Sequence, residues 1–247
     1  MYQMNQPAPK FQNARKNVKQ DTTYPILDVL SLAFAAHRVN QGYSQVGESV
    51  FDHLTGGSVT KKYANKDIVK FQITGRYIPS NYTYVAVKEE DIQKAKNAKS
   101  HFEKYMFNIL GGDISEFTQN ILDVIFKEEV TKHDLGLISY IPEMIARDNK
   151  KDKLGDILDS DYCNSKHVGK PKDRFEGKIT ILNNFFARTY NCWIYTAGCD
   201  GNLFTFFNKK QLELGKEYNV RAKINWHGYN RVNNSLQETA LNYLKFV

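Results

Sequence analysis

The sequence has few cysteines. Only Cys163, Cys192 and Cys199 occur among its 247 residues, and this small, odd number excludes the disulfide framework typical of small secreted domains. The three cysteines and His167 could be combined into a zinc site, but their spacing is not that of paired zinc knuckles. We therefore predict no metal and no other cofactor, and the cysteine content favours a reducing compartment.

Long apolar runs are also lacking. No stretch approaches the roughly 18 consecutive apolar residues that a membrane-spanning helix needs. Residues 1–20 lack the charged head, apolar middle and small-residue cleavage site of a secretory signal. From these two absences we expect a soluble intracellular protein that does not bind membranes.

The motifs of several enzyme classes are missing as well. The sequence contains no Gly-Lys-Ser or Gly-Lys-Thr phosphate loop and no Gly-x-Ser-x-Gly nucleophile elbow. Its β-rich part has no cluster of carboxylates such as a metal-dependent nuclease needs. We predict a protein that is not an enzyme and has no catalytic residues.

The positive charge is concentrated in the last third of the chain. The net charge is +7, yet residues 1–165 hold 21 Lys and Arg against 21 Asp and Glu. Residues 166–247 hold 13 basic residues against 6 acidic ones, which accounts for the whole excess. A basic block confined to one domain is typical of a protein with a polyanionic partner. A basic surface that only serves solubility remains an alternative.

Hydrophobic periodicity divides the chain into a tail and two domains. Residues 1–24 are polar and aperiodic, which predicts a flexible tail. Residues 25–160 are predicted to form a mostly helical domain, with apolar stripes at helical spacing within 24–42, 87–110, 113–125 and 134–147 and a short β-hairpin or extended arm between the first two. The charged stretch at 148–166 is predicted to be the domain boundary.

After the boundary the period changes from about 3.6 to about 2, which is the period of β-strands. Strands are predicted from the alternation in DRFEGKITILNNFF, YNCWIYTAG, NLFTFFNKK, EYNVRAKINW and QETALNYLKFV, and Asp200-Gly201 is a strong hairpin signal. Five short antiparallel strands can close into a small barrel without exposed edges. The predicted fold class is therefore α+β, with a helical N-terminal domain followed at 166–247 by a five-stranded antiparallel OB-like barrel.

Short motifs recur through the C-terminal domain, at Gly169, Lys170, Asp173, Arg174, Asp200, Gly201, Asn202, Gly215, Tyr218, Val220, Ala222, His227, Gln237 and Thr239. In these residues the domain resembles the OB-fold domain of bacteriophage proteins that bind single-stranded DNA. The N-terminal part is similar to the helical region of that family at residues 35–43 and in the SEFTQNILDVI segment. The resemblance implies a sequence-nonspecific single-stranded DNA-binding protein of phage replication or recombination, located in the cytoplasm of an infected bacterium.

An OB-fold usually binds nucleic acid across strands two and three, between the loops joining strands one to two and four to five. Rings stack on unstacked bases, and cations follow the sugar-phosphate path. The predicted stacking and loop residues are Arg188, Tyr190, Trp193, Tyr195, Phe204, Phe206, Trp226, His227, Tyr229 and Arg231. The predicted phosphate and edge contacts are Lys178, Lys209, Lys210, Arg221, Lys223, Tyr243 and Lys245.

Several alternatives stay open at this point. Alternation must send one face of each strand inward, so about half of Trp193, Tyr195, Phe204 and Phe206 would belong to the core. The barrel could serve as a protein-interaction module of a replication or virion assembly without touching nucleic acid, or it could prefer RNA to DNA. Whether the helical domain self-associates or contacts replication and recombination proteins does not follow from the sequence.

Overall fold

The computed structural model describes residues 22–52, 56–111 and 114–247 of the chain. It is a mixed α and β structure that divides into two compact units, Met1–Ile145 and Ala146–Val247. In the described part, no helix is both long and apolar enough to span a membrane. The predicted flexible tail lies mostly outside the described residues, but its last residues belong to a short strand, β1 (Thr23–Pro25). A strand of three residues is too short to be recognised from hydrophobic periodicity.

The first unit is built around helix α1 (Ile26–Val39), which is buried on most of its sides. The other elements of this unit are β2 (Glu48–Asp52), β3 (Gly57–Lys62), α2 (Asn65–Thr74), α3 (Glu89–Gly111), α4 (Glu116–Ile125), β4 (Glu129–Thr131) and α5 (Leu135–Ile138), followed by the start of α6 (Ile141–Asp161). Strand β1 pairs with β4, and β2 pairs with β3 as the predicted hairpin. Apolar residues of α1 pack with those of α2 to α5 in one core.

Two polar pairs hold the C-terminal end of α1 within this unit. The side chain of Asp91 on α3 is fully buried and accepts hydrogen bonds from Arg38 Nε and Nη2, the latter at 2.8 Å. The ring of His37 contacts Glu143 at 3.1 Å, so this histidine, which lies on the apolar stripe of the helix, has a polar partner. A charged group can be buried here because its partner lies within hydrogen-bonding distance.

Helix α6 runs through the stretch that the sequence predicts as a domain boundary. Pro142 lies in its first turn, where the missing N–H of proline costs no hydrogen bond. Leu154 and Leu158, four residues apart, are buried against Leu203 and Leu236 of the barrel. Because this apolar pair needs cover, the charged segment is a helix that belongs to the second unit, which begins at Ala146 rather than at residue 166.

The second unit is a closed five-stranded barrel, consistent with an OB-like fold. Its strands are β5 (Arg174–Ala187), β6 (Cys192–Cys199), β7 (Asn202–Asn208), β8 (Glu217–Tyr229) and β9 (Gln237–Phe246), and they close in the order β5-β6-β7-β9-β8. All five predicted strands are present. The predicted turn also joins β6 to β7, with positive φ at both Asp200 and Gly201 as a tight hairpin turn requires.

The prediction that the barrel is entirely antiparallel is wrong. Strand β9 inserts between β7 and β8, and it runs parallel to β7 over three paired positions from Leu203–Glu238 to Thr205–Ala240. The other four strand pairs are antiparallel. Side-chain alternation has the same period in both arrangements, so it cannot tell the direction of a neighbouring strand.

Candidate nucleic-acid interface

Three of the predicted stacking rings lie in the barrel core. Tyr195, Phe204 and Phe206 have at most 1% of their surface exposed, and Tyr195 stacks on Phe206 with ring centroids 5.1 Å apart. The Tyr195 hydroxyl donates to the Lys210 carbonyl and accepts from the Leu212 backbone N–H. A ring enclosed in this way cannot stack on an incoming base, and the assignment of these three residues to a binding surface is corrected.

Trp193 lies at the edge of the same core. Its ring is partly buried against the core cluster, and it contacts the ring of Phe186 at 5.1 Å between centroids. Trp193 points to the same side of β6 as Tyr195, two residues further along. Its indole therefore packs against the core at the barrel end and is only partly open to solvent.

The outward side of strands β5, β6 and β7 carries a row of three apolar side chains, of which the outer two are exposed and the middle one is half-buried. Ile194 on β6 pairs with Phe185 on β5 and with Phe207 on β7, so the three lie side by side on one face. Phe185 is 65% exposed and Phe207 is 58% exposed. We call Phe185, Ile194 and Phe207 the apolar row. Neighbouring strands are about 4.8 Å apart, so the row spans about 10 Å.

The sequence did not single out the residues of the apolar row. Phe206 and Phe207 are adjacent, as are Phe185 and Phe186, and alternation alone does not say which member of each pair points outward. The hydrogen bonds of the Tyr195 hydroxyl at the barrel end show that this ring faces inward. Once that face is known, the register between the strands assigns Ile194 and Phe207 to the outside.

Predicted loop and lysine candidates lie at the same end of the barrel as the apolar row. Ala187 pairs with Cys192, and Trp193 pairs with Asn208, so the turn at Arg188–Tyr190 and the residues after β7 adjoin each other. Tyr190 is 76% exposed, and Lys209 and Lys210 are exposed as well. The side chain of Arg188, also predicted, is outside the described part of the structure. This end therefore combines exposed rings with two cations.

Helix α6 covers the other half of the outward face of β6 and β7. Leu203 is fully buried beneath this helix, and the phenol of Tyr162 lies against Gly198. Nearer the apolar row, Lys150 Nζ donates to the backbone carbonyl of Asn184 at 3.1 Å. The face that an OB-fold usually offers to nucleic acid is thus open only from the middle of these strands to the apolar row.

A second group of predicted residues lies around the barrel on β8 and β9. Lys223 pairs with Arg174 on β5, and Arg221 pairs with Lys245 on β9, all four with exposed side chains on the outward face. We call Arg174, Arg221, Lys223 and Lys245 the cation strip. Glu176 contacts Arg221 at 3.0 Å. In the described part of the chain, no carboxylate lies within ion-pair distance of the other three.

Two further predicted residues flank the strip. Lys178 forms an ion pair with Glu217, so its charge is already neutralised by a neighbour. Tyr243 interrupts β9 with a φ of 54°, where the register between β8 and β9 shifts, and its ring is 74% exposed. We therefore leave Lys178 out of the proposed phosphate contacts, although the sequence predicts it there. Tyr243 offers an open ring beside the strip.

Trp226 lies on the outward face because of a bulge in β8. Strict alternation would place it with the buried Val220, Ala222 and Ile224, but the register shifts between Ile224 and Trp226. Trp226 consequently pairs with Ala240, whose neighbour Leu241 faces the core. Its indole is 45% exposed and lies over Gly228. Trp226, His227 and Tyr229 are thus strand residues rather than loop residues, which corrects their predicted location.

His227 and Tyr229 belong to a ring cluster at the end of the barrel opposite Tyr190. The rings of His227 and His167 are stacked with centroids 4.5 Å apart, and Tyr229 meets His167 edge to face. His167 Nε2 lies 2.9 Å from the Gly228 carbonyl, and the Val168 N–H donates to Thr239 Oγ1. These contacts attach the segment before β5 to the barrel, so His227 has a packing role that the sequence did not indicate.

A buried acidic residue at the start of β9 holds the loop that joins β8 to β9. Glu238 is almost fully buried and accepts a hydrogen bond from Asn230 Nδ2. Burial raises the pKa of this carboxyl, although its hydrogen bond with Asn230 and the charge of Arg231 partly offset the effect. Arg231 itself is exposed in the loop. The last predicted loop is therefore held by Glu238 and Asn230, with the exposed Arg231 at its surface.

Comparisons of the chain with protein-family models, curated proteins and solved structures found no match. The resemblance to phage single-stranded DNA-binding proteins stays a prediction, and the case for a function depends on the geometry of the barrel. That geometry places several of the predicted residues in two exposed groups. Tyr190, Lys209 and Lys210 lie at the apolar row, and Tyr243 and Trp226 lie at the cation strip.

Proposed function

We propose that the barrel binds single-stranded DNA without strong sequence preference. The observation that carries the proposal is the apolar row, in which two exposed phenylalanine rings, on either side of Ile194, lie at the same barrel end as Tyr190, Lys209 and Lys210. A base stacked on an aromatic side chain contributes about 1–3 kcal/mol whatever its identity, because every base has a π face. The two lysines supply charges for the phosphates between such bases.

The exposed rings of the apolar row indicate that this surface binds a partner. Phe185 and Phe207 leave most of their surface in water, although burying a phenylalanine side chain contributes about 1.5–3 kcal/mol. An apolar patch in which two such rings flank Ile194 is typical of an interaction site. Lys209 and Lys210 next to them, within a unit that holds the excess positive charge, favour an anionic partner with flat apolar groups, which describes a single strand.

The proposed mode of action is stoichiometric. A protein that binds the single strand and not the duplex shifts the melting equilibrium of DNA by mass action, so no chemical step is required. Protein of this kind would protect single strands during phage-type replication or recombination. The proposal assigns binding to the second unit and leaves replication or recombination proteins as candidate partners of the first.

A titration of fluorescein-labelled oligo-dT at several salt concentrations tests this proposal. We expect binding that weakens steeply with salt, since each phosphate contact with a single strand contributes about −0.7 to the slope of log K against log salt. The double variant Phe185→Leu, Phe207→Leu keeps apolar side chains but removes the flat rings. It should bind at least about tenfold more weakly, from the loss of roughly 1–3 kcal/mol per stacked base.

The lysines can be tested with a variant of equal net charge. Lys209→Gln with Lys210→Gln should weaken binding and lower the salt slope by about 1.4. Lys178→Gln with Lys216→Gln removes the same charge from lysines that already contact Glu217 and Glu213. This control should leave the affinity almost unchanged. Equal effects of both pairs would mean that net charge, and not this site, governs binding.

The competing interpretation is a protein-interaction module that uses the same apolar row. It predicts no binding of oligo-dT even at low salt, and it predicts that leucine replaces phenylalanine without loss. Competition between oligo-dT and oligo-U distinguishes DNA from RNA as the ligand. Preference for oligo-U would transfer the proposal to RNA, and absence of binding to either would overturn it.

A further inference from the structure

We propose that the bound strand continues past the apolar row, across β9 and onto the cation strip, so that one single strand follows a belt around the barrel. This inference rests on the proposed function and extends it, because it names a second contact surface for the same ligand. The belt starts at Phe185 on β5 and returns to the other end of the same strand at Arg174. Between these two it crosses one position on each of the other four strands, Ile194, Phe207, Asn242 and Lys223.

The register of the strands makes the belt continuous. Strands β7 and β9 are parallel, and their last paired residues are Thr205 and Ala240. Phe207 and Asn242 lie two residues further along each strand and therefore point to the same outward side. Asn242 pairs with Lys223, and Lys223 pairs with Arg174. No change of face interrupts the path from the apolar row to the strip.

The charge arrangement of the strip indicates an anionic ligand. Arg174 lies directly opposite Lys223, and Arg221 lies directly opposite Lys245. Like charges in such cross-strand positions destabilise a sheet. In the described part of the chain, Glu176 is the one carboxylate that contacts any of these four cations. Glu176 offsets the charge of Arg221 alone, and phosphates placed between the paired cations would relieve both repulsions.

The strip also has rings for bases. Tyr243 is exposed at the register shift of β9, beside Arg221 and Lys223. The outward indole of Trp226 follows Lys223 along β8 after the bulge. Cations alternating with open rings are what a single strand needs, whereas a duplex, whose bases are already stacked, would use only the cations. The strip therefore fits a continuation of the single strand better than a separate duplex.

The dimensions of the barrel give the inference a measurable length. The five steps between neighbouring strands along the belt span about 24 Å at the backbone, against about 10 Å for the apolar row alone. Known OB-folds contact about 4–16 nucleotides. The apolar row would use the lower end of this range, and a strand that also reaches the strip would need the upper part.

The experiment measures the affinity and salt slope of oligo-dT from about 4 to about 16 nucleotides, using the full chain. It compares the wild type with Arg174→Gln, Lys223→Gln and with the control Lys178→Gln, Lys216→Gln. For the wild type and the control, affinity and slope should both rise with length. The variant Arg174→Gln, Lys223→Gln, called the strip variant, should match their affinity and slope on the shortest oligonucleotides. On the longest ones its salt slope should be lower by up to about 1.4.

The outcomes separate the belt from the proposed function. If oligo-dT binds but the strip variant behaves like the wild type at every length, the belt is wrong and binding by the apolar row stands. The same conclusion follows if the variant loses equal affinity on short and long oligonucleotides. If the wild type binds no oligonucleotide of any length, the proposed function fails and the belt fails with it. A thermal unfolding curve like that of the wild type verifies that each variant is folded.

Discussion

The phenol of Tyr162 lies directly against Gly198. A Cβ atom at Gly198 would come within 1.9 Å of the Tyr162 hydroxyl oxygen, which is far inside contact distance. Gly198 is on the outward side of β6, and Tyr162 follows the last turn of α6. The absence of a side chain at this position is what lets the end of the helix dock on the barrel, and this docking covers half of the face that could otherwise bind a strand.

Gly198→Ala should therefore loosen the contact between α6 and the barrel. We expect a loss of about 1–3 kcal/mol in the free energy of unfolding, as for other insertions into a well-packed site. Both tryptophans, Trp193 and Trp226, are in the second unit, so tryptophan fluorescence during urea unfolding follows the barrel. Gly155→Ala in the same helix meets nothing within 4 Å and should stabilise by about 0.5–1 kcal/mol. Similar effects of both changes would contradict the docking interpretation.

The relation between Trp226 and Gly228 leads to a second prediction. A Cβ atom at Gly228 would lie 1.9 Å from the indole ring. Gly228→Ala should displace the indole from the strand surface and change its fluorescence, because the ring must rotate further into solvent. Since the ring is already half exposed, we expect a modest cost of about 1 kcal/mol in unfolding free energy. An unchanged emission spectrum would mean that the ring does not depend on the glycine.

The oligo-dT affinity of Gly228→Ala measures separately whether the Trp226 ring contacts DNA. If Trp226 stacks on a base at the end of the cation strip, Gly228→Ala should weaken the binding of long oligonucleotides and leave the binding of short ones unchanged. Phe186→Leu, introduced into the wild type, alters a ring that packs on the other tryptophan, Trp193. Its oligo-dT affinities are compared with those of Gly228→Ala. A loss of affinity for short oligonucleotides in Gly228→Ala would contradict the assignment of Trp226 to the far end of the bound strand.

The sequence predicts the barrel better than it predicts the surface of the barrel. Alternation identifies all five strands, and Asp200-Gly201 identifies the turn between β6 and β7. Alternation is a local property, however, and the parallel pairing of β7 with β9 depends on contacts between distant segments. The same limit applies to Trp226, because a bulge of one residue reverses the face of every residue that follows it.

Aromatic content misled the prediction of the site for a related reason. Tyr195, Phe204 and Phe206 have the composition of a stacking surface, but a small barrel needs large side chains to fill its interior. Their neighbours Ile194 and Phe207 point outward instead. The helical boundary segment is a similar case, since its charged residues hide the apolar pair Leu154 and Leu158. Composition indicates what a segment can do, and register decides which residues do it.

The buried pair of Arg38 and Asp91 predicts acid sensitivity in the first unit. Burial alone would raise the pKa of Asp91, but hydrogen bonds from Arg38 and from the Lys88 N–H, with the charge of Arg38, hold the pKa below its ordinary 3.8. A carboxyl with a lowered folded pKa contributes stability above its ordinary pKa, and this stability is lost as the pH falls through the folded pKa. The first unit should lose stability below about pH 4.

Asp91→Asn should remove this dependence and destabilise the first unit at neutral pH. We expect a cost of about 2 kcal/mol, below the roughly 3–5 kcal/mol of fully buried pairs, because Arg38 keeps some contact with water. Far-UV circular dichroism during urea unfolding follows the helices. Glu89→Gln changes an exposed acid in the first turn of the same helix and should cost only about 0.3–1 kcal/mol. Equal costs would indicate that the helix dipole, and not the buried pair, matters here.

Glu238 predicts the opposite pH dependence in the second unit. Burial raises its folded pKa above the ordinary 4.5, so the folded state binds the proton more tightly than the unfolded state does. The carboxyl therefore costs no stability below pH 4.5, and its cost grows as the pH rises through the folded pKa, where the folded protein must bury a charge. Glu238→Gln keeps an oxygen that accepts from Asn230 and removes the charge.

The difference in unfolding free energy between Glu238→Gln and the wild type should therefore increase in favour of the variant from about pH 4 to about pH 8. Tryptophan fluorescence during urea unfolding measures it in the unit that contains Glu238, and Glu213→Gln, an exposed acid of the same unit, provides the baseline. Asn230 also accepts hydrogen bonds from the Val232 and Asn233 N–H groups. The substitution at Glu238 therefore also affects the loop between β8 and β9. A variant that grew less stable relative to the wild type with rising pH would mean that the charge of Glu238, through Arg231, stabilises this loop.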